Sequence, residues 1–167
     1  MADQLSLRAA SLDDADFLRN LRNDPAVVQA SRNGRPVDER EHLDWLVVSL
    51  ATQGRRLFVI FLDDVPIGQA RLDDAGDGEY VSIALITARR GSGVGTRIVQ
   101  ELMARARGDL LAEVRTSNLG SLALFERAGF REEHRADEIV RLRWPNVRQS
   151  AGSRAEAVKW TAGSRGD

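Results

Sequence analysis

Val81–Ala106, with the sequence VSIALITARRGSGVGTRIVQELMARA, is the stretch that decides the fold. Its pattern indicates a hydrophobic strand, a basic glycine-rich turn at Arg89–Thr96 and an amphipathic helix. Glycines let a backbone bend tightly and approach a ligand without a Cβ in the way. Because the start of a helix presents unpaired N–H groups and the positive end of its dipole, this turn is typical of a phosphate-binding site.

The spacing within the turn separates the known kinds of phosphate loop. A Walker loop requires a lysine before its final Ser or Thr, and none precedes Thr96. A dinucleotide fingerprint has the spacing Gly-x-Gly-x-x-Gly, whereas the glycines here follow Gly-x-Gly-x-Gly and lie past the middle of the chain. On this turn alone, an ordinary glycine-rich loop between a strand and a helix remains the alternative.

Composition narrows the classes of function. The 167 residues suit one domain, and a net charge of −1 provides no basic surface for nucleic acid. The absence of cysteine excludes disulfides, thiolate metal sites and a cysteine nucleophile, and two histidines do not suggest a metal centre. The N-terminus lacks a hydrophobic signal core and no apolar run reaches membrane length. We therefore expect a cytoplasmic protein without metal, nucleic-acid or membrane partners.

The hydrophobic patterns along the chain predict the order β-α-α-β-β-β-α-β-α-β-β. This order predicts a layered α/β (α+β) fold, with helices flanking a mostly antiparallel central sheet. We expect the folded domain to span residues 1–145, and residues 146–167, rich in Ser, Gly, Ala and Arg, to form a flexible C-terminal tail. The exposed edges of such a sheet are compatible with a homodimer.

The second predicted helix, which Asp38 caps, shows how core residues are assigned. Its apolar side chains fall at i, i+3, i+4 and i+7 and predict one buried stripe. The stripe consists of Leu43, Leu46, Val47 and Leu50. His42 and Trp45 lie off this stripe, so we expect His42 to be exposed and Trp45 to cover a loop or contact a ligand.

A second motif identifies the glycine turn. Residues Asn118–Phe130, NLGSLALFERAGF, predict a helix with Asn118 as its N-cap. Together with the pattern Arg90-x-x-Gly93-x-Gly95, this segment resembles the GNAT superfamily of acyl-CoA N-acyltransferases over most of the chain. The resemblance implies the GNAT fold, acetyl-CoA as cofactor, and direct transfer of an acetyl group to an amine without an acyl-enzyme.

The resemblance also implies where the cofactor binds. In this family the strand before the glycine turn separates from its neighbour, its backbone holds the pantetheine and the thioester, and the turn cradles the pyrophosphate. The implied cofactor-binding residues are Ile83, Leu85, Ile86, Arg90, Gly91, Ser92, Gly93, Val94, Gly95, Thr96, Asn118, Ser121 and Phe125. Many members place a tyrosine general acid where this chain has Phe125, a side chain that has no proton to give.

A general base for the amine is expected near the start of the same strand. Glu79 is the first catalytic candidate, and Ser82, Tyr80 and His42 are others, the hydroxyls acting through water. Strand alternation places Glu79 and Ser82 on opposite faces of the sheet. A solvated carboxylate at the end of a strand is the alternative interpretation of Glu79.

Shorter upstream segments resemble one GNAT branch. Arg22-Asn23-Asp24-Pro25, Ser31-Arg32-Asn33 and Glu41-His42-x-x-Trp45 are similar to the pseudaminic-acid-pathway acetyltransferases, which act on nucleotide-linked 4-amino sugars. The substrate-binding candidates are Arg32, Asn33, His42, Trp45 and Arg71. The ribosomal-protein N-terminal acetyltransferases share the Arg-Asn-Asp feature, so a peptide N-terminus is the alternative acceptor. A catalytically silent acyl-CoA-binding or sensor domain is the alternative of another class.

Overall fold

The structure, a computed structural model, describes residues 3–31 and 33–147. Its helices and strands are β1 Leu5–Ala9, α1 Ala15–Arg22, α2 Pro25–Ala30, α3 Glu39–Ala51, β2 Arg55–Leu62, β3 Val65–Asp74, β4 Glu79–Leu85, α4 Val94–Arg105, β5 Leu110–Arg115, α5 Leu119–Arg127, β6 Arg131–Ala136 and β7 Ile139–Trp144. Short 3-10 turns at Leu12–Asp14 and Thr87–Arg89 precede α1 and the glycine turn. Arg32, a predicted substrate contact, and residues 148–167 of the predicted tail lie outside the described residues.

One seven-stranded sheet, in the order β1-β2-β3-β4-β5-β7-β6, forms the centre of the described chain. All neighbouring pairs are antiparallel except β4 and β5, which confirms the predicted mostly antiparallel α/β architecture. The β2–β3 hairpin turns at Asp63 and Asp64, whose φ angles of 49° and 63° match a type I′ turn. Pro66 lies opposite Phe61, next to a shift in register, where a missing N–H is tolerated.

The helices form a layer on each face of the sheet. Alternation along β2 separates the two faces, since Ile60 packs into one hydrophobic cluster and Val59 into the other. The larger cluster contains the buried side chains of α4 and α5, and the smaller one contains Leu18 of α1 and Leu46 of α3. Helices α1 and α3 therefore cover one face at β2 and β3, and α4 and α5 cover the opposite face.

Local capping signals fix the ends of several helices. The Asp38 carboxylate accepts a hydrogen bond from the Glu41 N–H at 2.8 Å and starts α3. At the end of α5, Gly129 has a φ of 98°, and the Phe130 N–H donates to the Phe125 carbonyl at 3.0 Å. This is the hydrogen bond of a Schellman motif, in which a glycine adopts the left-handed conformation that a side chain disfavours. The predicted boundaries at these positions are confirmed.

The predicted buried stripe of α3 is wrong by one residue position. Leu46 is buried, but Leu43, Val47 and Leu50 are exposed by 42%, 49% and 39%. The buried residues of α3 are instead His42, Leu46 and Ser49, with Trp45 packed against the same cluster. The expectation that His42 is exposed is also wrong, because only 4% of the residue is accessible.

The described chain ends just after β7. Asn146 is buried, and its N–H donates to the Asp109 carboxylate at 2.8 Å. Its side-chain amide donates to the Ala106 carbonyl at 3.3 Å, so Asn146 is tied to the segment between α4 and β5. Asn146, which was predicted to belong to the flexible tail, is therefore packed against the domain.

Candidate active site

Strands β4 and β5 are joined at one end only. Their parallel pairing consists of Glu79 with Leu110 and Tyr80 with Leu111. Beyond Tyr80, β4 continues to pair with β3 as far as Leu85, but no strand of the described residues pairs with its other edge. The two strands therefore enclose a gap that opens toward the glycine turn, as the family resemblance implied.

The alternation of β4 shows which backbone groups face this gap. The Glu79 N–H donates to the Asp109 carbonyl, on the side of β4 that faces β5. The Ile86 N–H donates to the Ile67 carbonyl, on the side that faces β3. Because backbone groups of alternate residues point the same way, Ile83 and Leu85 direct theirs into the gap. The Ile86 N–H is already bonded at 2.9 Å, so Ile83 and Leu85 are the better placed of the three predicted pantetheine contacts.

The glycine turn presents the start of α4 toward the same opening. Gly91 and Gly93 have φ angles of 71° and 81°, and an added Cβ would meet nothing within 4 Å at either position. Glycine is therefore required at both positions by the left-handed backbone conformation, and not by a lack of space for a side chain. Gly93 is the N-cap of α4 and no side chain caps the helix, so the first-turn N–H groups are left for an anion. These features fit the pyrophosphate of coenzyme A.

The third glycine of the turn has a packing role. Gly95 lies inside α4, and a Cβ there would come within 3.2 Å of the Leu124 side chain of α5. Gly68 in β3 is tighter still, because a Cβ would lie 2.4 Å from the Ala84 carbonyl oxygen and 2.7 Å from the Leu85 side chain. Both glycines allow close packing around the opened end of β4.

Arg90 points back to β4. Its guanidinium donates two hydrogen bonds to the Leu85 carbonyl, of 3.1 Å from Nε and 2.9 Å from Nη2. Nη2 also lies 3.5 Å from the Asp24 carboxylate. The predicted contact between Arg90 and the cofactor phosphates therefore competes with a structural role at the end of β4.

The helix α5 borders the gap beside the glycine turn. Asn118 caps it, with its side-chain oxygen accepting from the Ser121 N–H at 3.1 Å, as the sequence predicts. The Phe125 ring is buried and meets the ring of Phe130 edge-on, with centroids 5.0 Å apart. Phe125 thus belongs to the core at the position of the missing tyrosine.

Glu79 lies at the closed end of the β4–β5 pair. One carboxylate oxygen accepts from Arg56 at 2.7 Å, and the other accepts from the Arg107 N–H at 2.7 Å. The residue is 6% exposed, so the alternative of a solvated strand end is wrong. Six residues of strand, about 20 Å, separate Glu79 from Leu85 at the open end. This geometry favours a structural role over that of a base.

Ser82 and Tyr80 lie on the opposite face of β4 from Glu79, as alternation predicts. Ser82 is exposed and lies directly across from Arg71 of β3. Arg71 forms an ion pair with Asp73 at 2.8 Å on the same face. The Arg141 guanidinium of β7 lies 5.7 Å from the centre of the Tyr80 ring. Ser82 and Arg71 are therefore neighbours on the accessible face of the sheet beside the gap.

The other predicted acceptor contacts are distributed between core and surface. The rings of His42 and Trp45 lie 5.3 Å apart within the α1–α3 layer. Burial, and then the nearby Arg19 and Arg22, lower the pKa of His42 below its ordinary value, so the ring is neutral. Asn33 is exposed in the loop after α2. His42 and Trp45 therefore belong to the α1–α3 layer, Asn33 lies in an exposed loop, and Arg71 lies on β3 across from Ser82.

Asp24 and Thr87 connect to the site, although the sequence pattern assigned them no role. The Thr87 hydroxyl donates to the Asp24 carboxylate at 2.8 Å, across a large separation in sequence. In the sequence, Asp24-Pro25 indicates a helix boundary and is part of the segment that resembles one GNAT branch, but neither signal points to Thr87. The Asp24 carboxylate also caps α2 by accepting from the Ala26 N–H at 2.9 Å. Only the folded chain shows that the same carboxylate contacts the segment just before the glycine turn.

Two kinds of feature are absent from the described ranges 3–31 and 33–147. No group of three or more His, Asp or Glu side chains there is placed to hold a metal ion. No helix in this part of the chain is long and apolar enough to span a membrane.

The family of the chain follows from a direct match. The model of the acetyltransferase (GNAT) family matches residues 15–130, and the chain therefore belongs to this family. It is an acetyl-CoA-dependent N-acetyltransferase. The opened β4–β5 pair and the uncapped start of α4 have the features expected of its cofactor site. A comparison with curated proteins finds no significant match.

Solved structures share the fold at low sequence identity. Spermidine N-acetyltransferase from Vibrio cholerae, in complex with CoA and spermine, has a TM-score of 0.75 and 19% identity, covering 86% of this chain and 96% of its own. A putative acetyltransferase from Salmonella typhimurium with acetyl-CoA gives 0.71 and 20%, covering 85% and 94%. An aminoglycoside acetyltransferase in complex with coenzyme A gives 0.73 and 18%, covering 85% and 95%. These likenesses show the shared fold.

Proposed function

We propose that this acetyltransferase transfers the acetyl group by direct attack to a primary amine on a nucleotide-linked sugar. The observation that carries the proposal is the place of Arg71, beside Ser82 on the accessible face of the opened sheet. The Arg71 guanidinium, which is partly exposed and also pairs with Asp73 at 2.8 Å, has further N–H donors suited to a diphosphate. The chain contains no cysteine, which agrees with transfer without a cysteine acyl-enzyme.

The two ligands approach from opposite sides of the sheet in this proposal. The uncapped start of α4 lies on the α4–α5 side and holds the pyrophosphate through backbone N–H groups. The acceptor lies on the α1–α3 side, between Ser82 and the loop that carries Asn33. Acetyl-CoA supplies an activated thioester, and the Ile83 and Leu85 backbone groups in the gap orient its carbonyl.

The proton of the attacking amine leaves through solvent in this arrangement. Both carboxylate oxygens of Glu79 are engaged at the closed end of β4. We propose that the exposed Ser82 hydroxyl orders the water that accepts the proton. Phe125 supplies no proton to the departing thiolate, so water also provides that proton.

Two carboxylates near the loop that carries Asn33 already have partners, which supports an anionic acceptor over a polycation. A polyamine such as spermidine, which the Vibrio cholerae enzyme acetylates, needs unpaired carboxylates. Glu41 already accepts two hydrogen bonds from Arg35, of 2.7 and 2.9 Å. Asp24 is bonded to Thr87 and lies 3.5 Å from Arg90. An ammonium group would have to share these carboxylates with their present partners.

An acceptor panel tests the proposal. Free CoA thiol is measured with acetyl-CoA and, in turn, a UDP-linked 4-amino sugar, spermidine, an aminoglycoside and a peptide with a free N-terminus. Turnover with the nucleotide sugar is expected, and Arg71→Ala should raise its KM about tenfold through loss of a charged contact. Arg131→Ala, on the exposed edge strand β6, is the control.

The other outcomes point to the alternatives. Turnover with the peptide and not with the nucleotide sugar would assign the chain to the ribosomal-protein type of N-terminal acetyltransferase. Coenzyme A binding without turnover of any acceptor would support an acyl-CoA-binding or sensor domain.

A further inference from the structure

In the turn between α1 and α2, the Asn23 side chain joins the two ends of the loop that follows. The Asn23 amide donates to the Val37 carbonyl, and the Val37 N–H donates back to the Asn23 side-chain oxygen, both at 2.8 Å. The segment between them, residues 24–36, carries α2 and the exposed loop with Asn33. We call this segment the acceptor loop. The two hydrogen bonds fix where it leaves and rejoins the α1–α3 layer.

The next residue, Asp24, connects the acceptor loop to Thr87 and Arg90 at the start of the glycine turn. Asp24 accepts a hydrogen bond from the Thr87 hydroxyl at 2.8 Å, and its other oxygen lies 3.5 Å from Nη2 of Arg90. The carboxylate side chain is 19% exposed. The Thr87 hydrogen bond is the main reason that the pKa of Asp24 lies below its ordinary value, so the group stays ionised at neutral pH.

The contact continues to the end of β4. Arg90 donates two hydrogen bonds to the Leu85 carbonyl, and the Ile86 N–H of the same peptide unit donates to the Ile67 carbonyl at 2.9 Å. The last peptide of β4 is thus held at both of its polar atoms. The Leu85 N–H, which points into the gap, belongs to the adjacent peptide and lies directly before the one that these contacts hold.

We propose that Asp24 is a positioning residue for acetyl transfer. Through Thr87 and Arg90 it fixes the position of the end of β4 relative to the acceptor loop. The Leu85 N–H then keeps a fixed direction toward the reacting carbonyl whenever the acceptor loop is in place. An amine that orders the acceptor loop strengthens the same contacts, and by linkage an ordered end of β4 favours binding of the amine. Such preorganised donors contribute strongly to acyl transfer.

A helix cap alone makes a different prediction, and the chain contains a matched control. Asp24 caps α2 by accepting from the Ala26 N–H at 2.9 Å. Asp38 caps α3 in the same way, because its carboxylate accepts from the Glu41 N–H at 2.8 Å. Among the described hydrogen bonds, Asp38 has none to the glycine turn. Removing either carboxylate removes one cap, but only Asp24 reaches Thr87 and Arg90.

Hydrogen exchange of the full chain, with and without coenzyme A, tests the proposal. Asp24→Ala and Thr87→Val are expected to speed exchange about tenfold in both the acceptor loop and residues 83–86, the loss expected for one hydrogen bond to a charged group. Thr87→Ser, which keeps the hydroxyl, should restore slow exchange. Asp38→Ala should change exchange at the start of α3 and leave residues 83–86 unchanged.

Two exchange results would overturn the proposal. One is faster exchange in the acceptor loop alone after Asp24→Ala, the behaviour of a simple cap. The other is additive effects of Asp24→Ala and Thr87→Val, since residues that act through one contact are not additive. If Asp24→Ala does not fold, Thr87→Val alone decides.

Kinetics provide a second readout. With an amine that the acceptor panel shows to be acetylated, Asp24→Ala should lower kcat about tenfold while the KM for acetyl-CoA changes less than about threefold. An unchanged kcat would contradict the positioning role. The exchange experiment uses no acceptor, so the positioning role and the nucleotide-sugar proposal can fail independently.

Discussion

The His42 ring is buried and stays neutral, because burial and the nearby Arg19 and Arg22 disfavour its charged form. Its tilted contact with Trp45, at 5.3 Å, fills the space that an apolar side chain would occupy. A histidine in this state binds a proton more readily in the unfolded chain than in the folded one. Its burial therefore makes the stability of the domain depend on pH.

The first prediction concerns this pH dependence. The folded pKa of His42 lies below its ordinary value of 6.5, so its effect on stability is constant above about pH 6.5. As pH falls below 6.5, the unfolded chain takes up the proton first and the free energy of unfolding decreases until the folded pKa is reached. His42→Gln should flatten this decrease in urea unfolding between pH 7 and pH 5, and His134→Gln on exposed β6 should not. Equal slopes for wild type and His42→Gln would contradict the assignment.

The second prediction concerns the glycine turn. A valine at Gly93, where φ is 81°, costs about 1–2 kcal/mol in the left-handed region and displaces the start of α4. We expect Gly93→Val to weaken coenzyme A binding at least about tenfold, measured by calorimetry. Gly76→Val is the control, because Gly76 has the same φ of 81° and equally open surroundings in a turn outside the site. Similar losses of melting temperature with unequal losses of affinity are the expected result.

At the scale of elements, α3 shows how one helix offers two faces with the same period. The set Leu43, Leu46, Val47 and Leu50 is more apolar, but the chain buries the set that begins one residue earlier. That shift is a rotation of about 100°. Ser49 is accommodated because its hydroxyl accepts from Arg55 at 3.0 Å, and His42 because it is neutral. The residues that accommodate Ser49 and His42 belong to β2 and α1, so the sequence of α3 alone does not reveal them.

The third prediction tests the corrected face of α3. Leu46 is fully buried, so Leu46→Ala should lower the free energy of unfolding by about 2–5 kcal/mol. Val47, 49% exposed, is the neighbouring position of the predicted stripe, and Val47→Ala should cost about 0.5 kcal/mol or less. Urea unfolding of the two variants gives the comparison. Similar losses would restore the original stripe.

Other elements were predictable because their signals are local. The caps at Asp38 and Asn118 and the left-handed Gly129 depend on residues within one helical turn, and all three predictions are confirmed. The same locality explains the glycine turn, since strand, turn and helix are contiguous in Val81–Ala106.

At the scale of the whole molecule, Glu79 joins three parts of the fold. Its carboxylate links Arg56 of β2 and the Arg107 N–H beyond α4 to the closed end of β4. The pair is largely buried, with the Glu79 and Arg56 side chains 7% and 22% exposed. The contact ties the closed end of β4 to β2 and to the segment that leads into β5, at the same end where β4 and β5 are paired.

The fourth prediction distinguishes this structural contact from a general base. Glu79→Gln removes one charge of a buried pair and should lower the free energy of unfolding by about 3 kcal/mol. The kcat of the folded variant should remain within about threefold of wild type, whereas loss of a general base lowers it by about 10²–10⁴. Urea unfolding and turnover of the same preparation measure both quantities. A stable variant with a greatly reduced kcat would return Glu79 to the catalytic role.

The sequence by itself determined the family, the glycine turn and the order of the elements, except that the short helix α2, Pro25–Ala30, was not predicted as a separate element. These depend on contiguous motifs, whose periodicity, capping and left-handed glycines act within a few residues. Only the tertiary structure decided which face of α3 is buried, that Glu79 is engaged at the closed end of β4, and that Asp24 reaches Thr87. Each of these depends on partners brought together by strand pairing and helix packing, and such distant contacts leave no local pattern in the chain.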